Sequence, residues 1–184
     1  MTPQQRAILL DRFSRFAVRS GPPPSPRARH PGAVDGAWWP RTNDLVTELP
    51  GLEPLLGRRA GDLCRIMYNM DAWQPAPRRT MMGGCSVHLD GYRHLPARTV
   101  CVVGLDHTRL VLLTIPTDTE NAAAQALLSA ASRPGNELTA FELMAAHTRH
   151  HLEDTDNDAA LRRWDDEGGR SAHPRRVNTT VPEA

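Results

Sequence analysis

Eight side chains have the types that build a binding or reaction site: Asp35, Trp38, Trp39, Asn69, Asp71, Trp73, Arg78 and Arg79. An indole wall carrying a few oriented polar groups is a common way to hold a small molecule. An Arg pair can grip a carboxylate or phosphate through parallel N–H bonds. Asp35 and Asp71 could share acid–base work if the fold brings them together. The same residues also have a purely structural use. Trp fills cores, and Asp or Asn can accept its N–H. Asp35-Gly36 suits a turn, and Asp71 with Arg79 suits an ordinary surface ion pair.

Metal chemistry has weaker support. Cys85-x-x-His88 with Cys64, Cys101, His94 and His107 supplies soft ligands. Cys85 and His88, three apart in a strand, face opposite sides. A structural zinc site needs a second short ligand pair, which is missing. His147, His150 and His151, with Asp154, fit one helix face, but no His-Glu-x-x-His pattern accompanies them. No metal or cofactor is therefore expected. The chain has no Gly-x-Ser-x-Gly, phosphate loop or dinucleotide glycine pattern. An Arg-mediated nucleic-acid surface is a further reading, because Arg interleaves with Trp near 38–41 and 73–79.

The composition limits these readings. All 22 basic residues are Arg, and the net charge is +1. The charge is +5 over residues 1–32, −1 over 33–132 and −3 over 133–184. An electrostatic partner would meet the N-terminal arm before the slightly acidic centre. Three cysteines without regular spacing argue against a disulfide framework. No run reaches the ~18 apolar residues of a membrane span, and Asp11 and Arg12 interrupt the N-terminal apolar stretch, so a cytoplasmic location is expected.

The elements that must position these residues follow from local pattern. Residues 3–18 have helical spacing, and residues 1–19 read as an amphipathic extension. Residues 20–32 form a Pro- and Arg-rich linker. Residues 33–132 read as one domain. Ala33–Trp39 predicts a strand, with Trp38 and Trp39 on opposite sides. Thr42 or Asn43 can cap a helix lined by Leu45, Leu49, Leu52 and Leu56, which Pro50 and Pro54 should break. Cys64–Trp73 alternates as a strand. Arg79–Met82 and Cys85–Leu89 form a hairpin about Gly83-Gly84. Asp90 is read as a loop residue. Thr99–Val103 and Leu110–Ile115 form a second hairpin, central because most apolar. Asp118 or Thr119 can cap a last helix to Ala131.

The order β-α-β-β-β-β-β-α predicts an α+β fold: an antiparallel sheet of five or six strands, with helical cover on one face. Whether the sheet curls toward a partial barrel stays open. Residues 133–184 read as a tail, helical in part and otherwise disordered.

The string Asp35-Gly36-Ala37-Trp38-Trp39-Pro40, with Tyr68-Asn69, Asp71-Ala72-Trp73 and Pro77-Arg78-Arg79, resembles an uncharacterised domain-of-unknown-function family of actinobacteria. The resemblance covers about residues 33–132 and implies a small cytoplasmic α+β domain without an assigned activity. The leading expectation is a non-catalytic binding or regulatory module. Its Trp38 or Trp39, Trp73, Asn69 and Arg79 face would meet a protein or a small anionic ligand. A small enzyme with an Asp general base in the same cluster is the alternative, beside Arg-mediated nucleic-acid binding. Oligomeric state is not legible.

Overall fold

The structure is a computed structural model and describes residues 15–21, 30–149 and 162–163. The chain divides into two compact units, residues 1–147 and 148–184. Of the second, residues 148–149 and 162–163 are described, and all are helical. The expectations for residues 1–14, the centre of the Pro-rich linker, residues 150–161 (with His150, His151 and Asp154) and residues 164–184 lie outside the described residues.

Seven strands make one open, mixed sheet: β1 (Phe16–Val18), β2 (Gly36–Trp38), β3 (Leu63–Asn69), β4 (Arg79–Met82), β5 (Cys85–Tyr92), β6 (Thr99–Gly104) and β7 (Arg109–Thr114). Their order is β1-β2-β7-β6-β3-β5-β4, so β6 is central, as its apolar run suggests. The expected five or six antiparallel strands need correction. β2 pairs parallel with β7, and β3 pairs parallel with β5. The second parallel pair arises because the chain passes from β3 to the edge strand β4 and returns as β5 into the gap between them. The helical spacing read through residue 18 also gives way, since Phe16–Val18 pairs antiparallel with β2.

Helix α1 (Leu45–Ala60) is one continuous element despite Pro50 and Pro54. Its Leu45, Leu49, Leu52, Leu56 and Ala60 are all buried, and this apolar stripe compensates for the amide donors that the prolines lack. Asp44, not Thr42 or Asn43, caps it, accepting the Val46 and Thr47 backbone N–H groups. Gly61 ends it at φ 60°. Helix α2 (Asn121–Ala131) starts after Glu120, which makes no side-chain cap, instead of at Asp118 or Thr119.

Helical cover lies on both faces of the sheet, not one. Alternation along β7 divides the core: Leu110 and Leu112 join α1, Trp38 and Trp73, while Leu113 joins α2, Trp39 and the helical residues Ala140 and Leu143. The second cluster leaves the outer half of its face uncovered, where Arg65, Arg79 and Met81 are exposed.

Candidate functional site

β2 is flanked by β1 and β7, with β7 and β6 standing between it and β3. The fold therefore does not set the first strand beside Cys64–Trp73, the arrangement that would bring Asp35 to Asp71. Asp35 is 2% exposed and is engaged on both sides. Arg19 Nη2 donates to its Oδ1 at 3.1 Å, and the Val111 N–H donates to its Oδ2 at 2.7 Å. Asp71 is on the surface, 3.4 Å from Arg93 Nη1.

Trp38, Trp39 and Trp73 are interior. Trp38 stacks on Trp73 on the α1 face. Trp39 enters the opposite cluster, donates from Nε1 to the Pro116 carbonyl, and has the Arg15 guanidinium 4.0 Å above its ring. Asn69 is buried and holds loop backbone, donating to the Arg93 and Leu95 carbonyls and accepting the Asp71 N–H. A cavity of about 250 Å³ touches Trp38 and Trp39. Its Glu48 carboxylate is already committed, accepting the Arg41 and Thr42 backbone N–H groups and the Thr42 hydroxyl.

Arg78 and Arg79 go elsewhere. They line a cleft of about 630 Å³ with Tyr68, His88, Asp90 and Tyr92. The cleft follows from strand lengths. Register places Arg79 against His88, and the Leu89 N–H donates to the Arg78 carbonyl. The chain before Arg78 leaves the sheet edge, yet β5 continues to Tyr92. Strand alternation turns the Gly91 N–H to the side on which the Leu89 N–H meets Arg78, with no strand beyond it among the described residues. β3 and β5, parallel neighbours, both run out here, and the C-terminal ends of parallel strands are a frequent site of ligand binding.

The lining groups are mostly donors. Tyr68 is only 5% exposed, but no described residue hydrogen-bonds its hydroxyl. Its phenol is raised above the ordinary value of 10.0, first by burial and then by the Asp90 carboxylate, so it stays protonated at neutral pH. Arg78, Arg79, His88 and Tyr92 likewise have side chains without a hydrogen-bond or ion-pair partner among the described residues. Asp90, the one acid, is paired with Arg65 at 3.1 Å. Gly91 keeps the space open: a Cβ there would lie 2.6 Å from Met70 Cγ and 3.1 Å from the Tyr68 hydroxyl. The unpaired cations outnumber the anion, which favours a negatively charged occupant.

Local reading reached Arg78 and Arg79 but missed Tyr68, His88, Asp90 and Tyr92 as one site. Asp90 lies within β5, not in a loop. The alternate positions His88, Asp90 and Tyr92 share a sheet face, a signal hidden by Gly91, which resembles the end of a strand. Among the described residues, no group of three or more His, Cys, Asp or Glu side chains converges in a way that could hold a metal ion. No helix among them is long and apolar enough to cross a membrane.

The model of a family of unknown function, DUF5994, matches residues 23–131. No curated protein and no solved structure matches the chain. The matched span takes in β2 to β7, α1 and α2, and with them the whole cleft.

Proposed function

As the chain belongs to the DUF5994 family of unknown function, we propose that it is a non-catalytic binding module whose cleft at the ends of β3 and β5 takes a small anionic ligand carrying carboxylate or phosphate groups. The observation that carries this reading is the set of donors lining the cleft that have no partner among the described residues: two guanidinium groups, an imidazole and two phenols, beside a single carboxylate that Arg65 already engages. Arg78 and Arg79 supply charge and forked N–H groups. Tyr68 supplies a neutral donor from a buried position, where its geometry is fixed by the packing around it.

The reading is tested by calorimetric titration of the full chain with citrate and with pyrophosphate at low ionic strength. Saturable binding is expected with one or both, weakened about tenfold or more when Arg78 and Arg79 are both replaced by Ala. Gly91→Ala should weaken it also, since its Cβ would crowd the Tyr68 hydroxyl. The absence of saturable heat with both anions, or binding that the double Ala variant leaves unchanged, would overturn the proposal.

A further inference from the structure

The outer edge of β4 has a second use, which draws on Arg79 of the cleft but rests on backbone groups outside it. In an antiparallel pair, alternate residues turn their N–H and C=O groups toward the partner strand and away from it. The bond from the Leu89 N–H to the Arg78 carbonyl fixes the phase: Arg78, Thr80 and Met82 face β5, and Arg79 and Met81 face outward. β4 is the last strand of the sheet. The outward backbone groups of Arg79 and Met81 have no partner among the described residues. Both side chains project on the face of the sheet opposite α1, and Met81 is 64% exposed. Such an edge is a ready template for one more strand.

We propose that the β4 edge accepts an extended acidic segment of a partner protein as an eighth strand. Four backbone groups at Arg79 and Met81 supply the ladder. Side chains supply the choice of partner. Arg79, which has no ion-pair partner among the described residues, sets its guanidinium against the incoming strand, and Arg78, next in the chain, adds to the positive field, so a carboxylate at the position facing Arg79 is favoured and a cation is repelled. Met81, two residues on and on the same face, offers an apolar contact. The fitting sequence places an acid opposite Arg79 and, two positions away on the same face, an apolar residue opposite Met81. The backbone needs no change to receive it, since Gly83-Gly84 already closes the β4–β5 hairpin.

The probe is a short synthetic threonine-rich peptide carrying one glutamate and one valine two positions apart, followed by fluorescence anisotropy on the full chain, with a peptide in which lysine replaces the glutamate as control. Saturable binding of the acidic peptide alone is expected. Met81→Pro removes an outward N–H and the exposed Met side chain but no bond to β5, so β4 should stay paired, while peptide affinity falls about tenfold or more. Arg79→Glu should weaken it similarly, as should N-methylation of alternate peptide amides. These last two measurements decide the matter if Met81→Pro does not fold. Failure to bind, equal binding of the lysine peptide, or indifference to both N-methylation and Arg79→Glu would overturn the proposal. Concentration-dependent self-association that Met81→Pro abolishes would also overturn it, by assigning the edge to a second copy. Citrate binding that survives Met81→Pro separates this surface from the cleft.

Discussion

The indole of Trp38 lies on that of Trp73, with ring centroids 5.0 Å apart and planes inclined by 23°. One ring comes from β2 and the other from the loop between β3 and β4, so the stack joins segments that are not neighbours in the sheet. Both rings are buried against α1. The pair is a structural rivet, and its role is distinct from that of the cleft.

Trp73→Ala should destabilise the fold by about 3–5 kcal/mol, the usual cost of removing a large buried aromatic. Trp73→Phe should cost less. The Trp73 Nε1–H has no acceptor among the described residues, so Phe forfeits area but no hydrogen bond. Urea unfolding of the two variants measures the order. A Phe variant as unstable as the Ala variant would mean that the indole N–H has a partner in solution.

The ion pair of Arg19 and Asp35 ties β1 to the segment entering β2, and Asp35 also accepts the Val111 N–H. Its side chains are 14% and 3% exposed. Asp35→Ala should cost about 3–5 kcal/mol, because it leaves a largely buried guanidinium uncompensated. A double-mutant cycle with Arg19→Ala should show coupling. Costs that add to within about 0.5 kcal/mol would remove the pair from the account of β1.

Acid should act on this chain through exposed caps. Asp44 is held below its ordinary value of 3.8, first by the Thr47 hydroxyl and then by the Thr47 backbone N–H. Asp106 is lowered in the same way by Thr108, and Glu142, ordinarily at 4.5, by Thr139. A depressed folded value favours the charged form, so this stabilisation is present above the ordinary value and is lost as pH falls through and below it. Asp44→Asn keeps an acceptor for the helix N-terminus but removes the titration. Its stability should therefore fall less steeply than that of the parent below pH 3.8. Chemical denaturation across acid pH checks this, and equal slopes would sink it.

Of the cleft, Arg78 and Arg79 are legible one residue at a time, and the set is not. Asn69, Asp71, Arg78 and Arg79 were marked by type, but type does not say which groups meet. Asn69 spends its amide on the backbone of residues 93 and 95, which lie 24 and 26 positions away. His88 was visible only as a metal ligand, because its companions Asp90 and Tyr92 lie beyond the residue at which the strand pattern seemed to stop.

The sequence by itself determined what depends on near neighbours. The leucine spacing of α1, the Gly83-Gly84 hairpin and the opposite facing of Trp38 and Trp39 are consequences of periods of 3.6 and 2 and of backbone freedom at glycine. The tertiary structure alone decided the strand order, the second helical layer and the cleft. β2 finds β7 across 76 residues, from Asp35 to Val111, and leaves β3 to other partners. Alternation gives a strand two faces but does not name its neighbours. That choice rests on the summed burial of segments far apart in the chain, and it buried Trp38, Trp39 and Trp73 while leaving Arg79 of β4 at an open edge.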